Sequence, residues 1–204
     1  MKQALTERQA ARRDRVVEAA MTLAADGGYD AVQMREVAAR ADVALGTLYR
    51  YFSSKDQLLV AVLAHWTREL QQRIAARPPQ EDNPADRVID VLRRATRALE
   101  RSPQLTAAVV TALSSLSGDD PPALEATREV FDIVTDIITT AMGDGGEQRE
   151  AIIRVLGEVW FAALFARVRG WADPRQMGED LEAAVRLIVP ADADSAHRLA
   201  SAEA

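Results

Sequence analysis

The chain of 204 residues has no cysteine, which excludes a disulfide framework, a thiolate zinc site and a cysteine nucleophile. Histidine occurs only at His65 and His197. No apolar run approaches the ~18–20 residues of a membrane span, and no signal-peptide core follows the charged N-terminus. A cytoplasmic protein with no membrane partner is therefore expected. Strand alternation and internal repeats are lacking too.

What is present is apolar and helical. With 48% apolar residues the chain can bury a core rather than stay disordered. Its length suits about one domain, or a small unit packed on a larger one. The net charge of −6 is unevenly spread. Residues 1–60 carry nine Lys/Arg against eight Asp/Glu (+1), and residues 61–204 carry sixteen against twenty-three (−7). Lys2, Arg8, Arg12, Arg13 and Arg15 crowd the first fifteen positions. A near-neutral to basic head on an acidic body points to one end made for a polyanion.

The periodicity predicts a first helix from Thr6 or Glu7 that carries Val16, Val17, Ala20, Met21 and Leu23. It stops at Gly27-Gly28, where glycine adopts the left-handed conformation cheaply. Short helices follow over 34–41 and 45–51, separated by Asp42-Val43-Ala44. Ser54 reads as the N-cap of a long helix over 55–77, with an apolar stripe of Leu58, Leu59, Val62, Leu63, Trp66 and Leu70. The run Pro78-Pro79-Gln80-Glu81-Asp82-Asn83-Pro84 is a linker. Helices near 84–101, 103–117, 121–142, 147–170 and 174–189 are opened or separated by Pro, Gly or Ser-Pro signals. The tail over 190–204 frays.

Two short helices joined by a tight turn and braced on both sides make a helix-turn-helix pattern. Val37, Ala38, Val43, Leu48 and Phe52 are spaced to close a small core beneath them. Arg35, Ala44, Leu45, Gly46 and Tyr49 then lie outward. A helix entering a major groove about 12 Å wide favours small leading residues, and Gly46, unfavourable in a helix by roughly 1 kcal/mol, fits close approach. Thr47, Tyr51 and Lys55 supply hydroxyls and a cation for phosphates. Two short helices and a polar turn can also be plain structure, and periodicity alone leaves both readings open.

The runs Gly27-Gly28-Tyr29-Asp30-Ala31-Val32-Gln33-Met34-Arg35 and Val43-Ala44-Leu45-Gly46-Thr47-Leu48-Tyr49-Arg50-Tyr51-Phe52-Ser53-Ser54-Lys55 strongly resemble the DNA-binding head of TetR-family repressors, over about residues 8–63. The resemblance implies phosphate contacts from Thr47, Tyr51 and Lys55, and base-edge contacts from Arg35, Leu45, Gly46 and Tyr49, with Ala44 beside them. Gln33 stands where the first short helix often begins with Thr; a phosphate contact is open to it, and its capping role is in question. Arg12, Arg13 and Arg15 are candidates for the DNA backbone or an adjacent minor groove.

Residues 152–168 are too apolar for one buried face. Ile152, Leu156, Val159, Trp160 and Ala163 form one stripe, and Ile153, Phe161, Leu164, Phe165 and Val168 another. The last helix, with Leu181, Ala184, Val185, Leu187 and Ile188, is the natural partner, and two such helices from each of two subunits would build a four-helix homodimer interface. TetR-like proteins dimerise in this way. The resemblance also implies a ligand cavity, with Leu63, Trp66, Leu99, Leu105, Val109, Leu113, Phe131, Val134, Trp160, Phe161, Leu164 and Phe165 as candidate walls; each reads more readily as ordinary core, and the sequence does not separate the two. So apolar a set favours a large apolar ligand.

Narrower patches point further. Tyr29-Asp30-Ala31-Val32-Gln33-Met34-Arg35, Arg101-Ser102-Pro103-Gln104-Leu105-Thr106 and Glu158-Val159-Trp160 are similar to actinobacterial KstR-type repressors, which control sterol catabolism and respond to steroid-derived acyl-CoA thioesters. Arg93, Arg94, Arg97 and Arg101 form a basic stripe able to meet CoA phosphates, although such stripes are usually solvated faces.

Catalysis finds little support. His65 and Glu69 sit four apart on one helix but lack further metal ligands. Gly143-Asp144-Gly145-Gly146 follows a helix and lacks the Lys-Ser/Thr of a phosphate loop. No nucleophile–base set or carboxylate pair stands out. The expectation is an all-α protein with no metal or cofactor. It comprises an N-terminal three-helix helix-turn-helix domain over 1–54, a larger ligand-binding and dimerisation bundle over 55–190, and a flexible tail over 191–204. Its expected function is that of a homodimeric repressor that binds a pseudo-palindromic operator and is released by a small apolar effector, a steroid- or acyl-CoA thioester. The alternatives are a TetR-type regulator of an efflux or other catabolic operon, and a ligand-binding dimer that never touches DNA.

Overall fold

The computed structural model describes residues 6–116, 121–143 and 148–189. These residues form helices α1 (Glu7–Ala31), α2 (Met34–Arg40), α3 (Leu45–Tyr51), α4 (Lys55–Ala76), α5 (Pro84–Glu100), α6 (Pro103–Ser115), α7 (Pro121–Met142), α8 (Arg149–Val168) and α9 (Pro174–Ile188), with no strand among them. Apart from the end of α1, every expected helix lies within two residues of its predicted bounds. The tail from Pro190 and the loop residues after Gly143 lie outside the described residues. No described helix is long and apolar enough to cross a membrane.

Packing divides the chain into Met1–Trp66 with Leu99–Val130, and Thr67–Ala98 with Phe131–Ala204. By packing, α6 groups with the head. Leu105, Ala108, Val109 and Ala112 of α6 share one buried cluster with Val16, Val17, Ala20, Leu23 and Ala24 of α1. Small alanines on both helices let the two pack closely. Both α4 and α7 run through the division.

In the first unit, a capping box starts α1. Thr6 Oγ1 accepts the Gln9 amide, and Gln9 Oε1 accepts the Thr6 amide at 2.9 Å, satisfying two donors that the helix end would otherwise leave open. The stop expected at Gly27-Gly28 is a kink: both residues are non-helical, and Gly28 has φ +69°. A Cβ at Gly27 would lie 2.6 Å from the Ala31 Cβ, so glycine is required there by space and at Gly28 by conformation. Under α2 and α3, Val37, Ala38, Leu48 and Phe52 are buried and Val43 packs against them, as expected. Asp42 takes φ +53° in the turn, which Asp tolerates better than most residues.

In the second unit, α5 buries Ala85, Val88, Ile89, Leu92 and Ala95, a stripe of helical period. Helix α8 packs on α9, with Ile152, Ile153, Leu156 and Leu164 buried on one and Met177, Leu181 and Val185 on the other. The two stripes of α8 merge at its start, where Ile152 and Ile153 are both buried, while Phe161 of the second stripe is 38% exposed. Leu187, expected in a subunit interface built by α8 and α9, is 86% exposed, and its neighbours Val185 and Val189 take the inner positions.

Arg87 closes the end of α7. Its Nε donates to Ala141 O at 2.7 Å and its Nη2 to Met142 O at 3.3 Å, while Nη1 donates to Glu81 O at 3.0 Å and Asp82 O at 2.7 Å. One guanidinium thus satisfies open carbonyls of a helix end and of the linker. Across α5 and α9, Arg93 and Arg186 both bind Glu182, and Arg186 also reaches Asp86 at 3.1 Å. The Arg186 hydrogen bond, joined by that of Arg93, holds the Glu182 carboxyl below its ordinary range.

Candidate nucleic-acid interface

Ala44 is the N-cap of helix α3, and its carbonyl accepts from Thr47 N at 2.8 Å and Leu48 N at 3.1 Å. Leu48 is fully buried, and that anchors one face of the helix. The opposite face is open: Ala44, Gly46, Tyr49 and Arg50 are exposed, with Leu45, Thr47 and Tyr51 half-buried. A Cβ at Gly46 would meet nothing within 4 Å. Packing inside the protein therefore gives no reason for glycine there, and the helix-propensity cost is not offset by any internal contact.

Arg35 is exposed in the first turn of α2. Gln33 occupies the N-cap position without a capping bond; its Nε2 donates instead to Asp30 O at 2.8 Å. The start of α4 is better closed. Ser54 Oγ accepts the Gln57 amide at 3.1 Å, and Gln57 Oε1 accepts the Ser53 amide at 2.5 Å, confirming Ser54 as the cap. Lys55 is half-buried and its Nζ donates to Tyr29 O at 3.3 Å. Tyr51 is less open than a phosphate contact needs. Its hydroxyl is enclosed without a partner, beside a cleft lined in part by Arg13, Gln57, Glu125 and Glu129. Reaching a phosphate requires the ring to swing out.

The basic stretch of α1 is sorted by its contacts. Arg15 Nε donates to Ala41 O at 3.3 Å, closing the end of α2, and Arg13 stacks 5.3 Å from the centre of the Phe52 ring. Arg8 and Arg12, one turn apart, are exposed. Sequence reasoning missed two features: the clamp of Arg15 on a backbone carbonyl, and the contact of Tyr29 with Lys55. Neither has a local signature, since each joins residues 26 apart.

The apolar positions expected to wall a cavity are spread over both units. In the first, Leu99, Leu105 and Val109 are buried, and Leu63, Trp66 and Leu113 are half-buried. In the second, Leu164 is buried, Val134, Trp160 and Phe165 are half-buried, and Phe131 and Phe161 are exposed. The Trp160 indole N–H is enclosed with no partner. Phe165 meets Trp171 edge-on at 5.8 Å. On the basic stripe, Arg93 is bound to Glu182 and Arg94 to Asp90 at 2.5 Å, while Arg97 and Arg101 are exposed. Glu69 pairs with Arg73 at 2.9 Å. Among the described residues, no group of three or more His, Cys, Asp or Glu is placed to hold a metal ion.

Comparison with known proteins adds sequence likeness to this geometry. Residues 16–62 match the family described as bacterial regulatory proteins, tetR family, and residues 82–188 match the tetracyclin repressor-like C-terminal domain. The chain is 38% identical over 183 residues to the HTH-type transcriptional repressor KstR of Rhodococcus jostii (strain RHA1), covering 89% of this chain and 84% of that one. A TetR transcriptional regulator from Rhodococcus sp. RHA1 has a similar crystal structure, with a TM-score of 0.78 and 34% identity over 89% of this chain and 97% of that one. The Thermus thermophilus FadR repressor, solved with lauroyl-CoA, shares the fold at a TM-score of 0.67 and 21% identity, over 86% and 92% of the two chains.

Proposed function

Because the chain belongs to the TetR family of bacterial regulatory proteins, we propose that it is a homodimeric, KstR-like repressor acting in the cytoplasm, released from its operator by a steroid- or acyl-CoA thioester. The observation that carries the DNA-binding half is the open leading face of α3, where a Cβ at Gly46 would meet nothing within 4 Å. Two heads insert Leu45–Tyr51 into successive major grooves of a pseudo-palindrome, with half-sites about 34–36 Å apart. Arg35, Ala44, Leu45, Gly46 and Tyr49 lie nearest the bases. Gln33, Thr47 and Lys55 meet phosphates, Tyr51 does so once its ring swings out, and Arg12 extends the backbone contact from α1. The relatives are repressors rather than enzymes, and catalysis forms no part of the proposal.

The effector half rests on KstR likeness over most of the chain and on the half-buried aromatics. The unpartnered Trp160 indole N–H offers a donor to a carbonyl such as that of a thioester, since a buried donor gains most when it finds an acceptor. CoA phosphates would have to displace Glu182 and Asp90 from Arg93 and Arg94, or use the exposed Arg97 or Arg101. Moving the protein from 99% to 1% DNA-competent requires about 5.5 kcal/mol of differential effector binding. The dimer forms through α8 and α9.

Fluorescence anisotropy with duplex DNA from upstream of the protein's own gene tests both halves, at two salt concentrations, with a steroid-CoA or a fatty acyl-CoA. Tight, salt-sensitive binding weakened by Arg35→Ala and Lys55→Ala, and released by one thioester, is the expected result. Binding that neither thioester releases leaves a regulator of another operon with a different apolar effector. Absence of binding to any duplex would overturn the DNA reading.

A further inference from the structure

Lys55 is one of two lysines in the chain, the other being Lys2, whereas the remaining 23 cationic side chains are arginines. The single lysine of the described residues sits at the first position of α4, and two contacts fix it. Its Nζ lies 3.6 Å from the centre of the Tyr29 ring and donates to the Tyr29 carbonyl at 3.3 Å. Tyr29 is itself held: its hydroxyl donates to Asp56 Oδ1 at 2.7 Å. Consecutive residues of α4 thus engage one tyrosine, Asp56 at its hydroxyl and Lys55 at its ring face and backbone carbonyl. The kink at Gly27-Gly28, where Gly28 has φ +69°, immediately precedes Tyr29.

We propose that Tyr29 and Asp56 are positioning residues for DNA binding, holding the Lys55 ammonium where it meets a phosphate. This rests on the phosphate role proposed for Lys55. A free lysine is a point charge on a flexible stem and loses rotamer freedom when it docks. Ordering it before DNA arrives removes that loss from the binding step. The aromatic face attracts the cation without using all three of its N–H donors, so a phosphate oxygen can still be bonded. The hydroxyl that orients the ring is protonated, and so a donor, at neutral pH, and the Asp56 hydrogen bond pushes its pKa further up, to about 12.

The 204-residue chain labelled with 13C-lysine tests the placement directly, since it holds just two lysine side chains. The Lys55 ε-methylene is expected upfield of that of Lys2 through the ring current, with the shift kept in Tyr29→Phe and lost in Tyr29→Leu. Operator titrations over salt concentration test the role. Lys55→Ala should reduce the slope of log K against log salt by about 0.9 per head. Tyr29→Leu should weaken binding by about 2–5-fold per head, and have no further effect in a Lys55→Ala background. Tyr29→Phe and Asp56→Asn should give smaller losses with the same dependence on Lys55, and they carry the test if Tyr29→Leu melts. An unshifted Lys55 signal, or equal losses with and without Lys55, would overturn the proposal in favour of a ring that merely braces the head. An unchanged salt slope in Lys55→Ala would instead remove the phosphate role beneath it.

Discussion

At Gly46 stability and function pull apart. Gly46→Ala fills space that no protein atom occupies, so it should raise stability by about 0.5–1 kcal/mol in chemical denaturation while weakening operator affinity. A loss of both would mean that the glycine serves the fold. Gly28→Ala acts oppositely: at φ +69°, ψ −158° a Cβ should cost about 1–3 kcal/mol, seen as a lower midpoint in the same experiment. Tyr29 gives a pH signature. Its pKa rises on folding from 10.0 to about 12 through the Asp56 hydrogen bond. Stability from that bond is complete below pH 10 and is lost as pH climbs to about 12. Alkaline unfolding should therefore be less steep in Tyr29→Phe over that range. Gly46 was legible as an oddity because a glycine inside a helix breaks a local rule. Tyr29 was not, because its partners Lys55 and Asp56 come from a distant helix start.

Elements were legible wherever their ends carry side-chain signals. Thr6, Ser54, Pro84, Pro103, Pro121 and Pro174 mark starts that the structure keeps. The C-terminus of α7 was bounded correctly, but its cap was not foreseen. Arg87 reaches it from 54 residues away and binds only carbonyls, which leave no trace in residue identity. Removing that guanidinium opens four carbonyl contacts, so Arg87→Ala should destabilise by about 2–3 kcal/mol in a urea melt. Arg87→Lys should recover little, since an ammonium lacks the planar fork that spans both groups. A melt unchanged within error in Arg87→Ala would show that water replaces the clamp.

For the whole molecule, the sequence predicted an all-α chain with a reader head and a larger bundle, and the family assignment agrees. The packing unit of the head also takes in α6, whose Ala108 and Ala112 pack with α1, a partnership that its apolar sequence does not announce. Exposed Leu187 and Trp171 are the large apolar groups expected to meet a second subunit. Leu187→Glu should shift the protein toward monomer in sedimentation velocity, and a dimer of unchanged affinity would place the interface elsewhere. Helix α4 passes through both units, which makes it the proposed lever between effector and head. Trp66→Ala should blunt effector release and leave operator affinity nearly intact; an equal loss of both would instead mark Trp66, which packs against the head's core, as part of the reader. The two-segment make-up of the head also sets a clock on its birth. Val16, Ala20 and Ala24 have no complete cover until residue 112 exists. At roughly 5–20 residues per second on the ribosome, a finished helix-turn-helix must wait about 2–9 s for the helix that seals it.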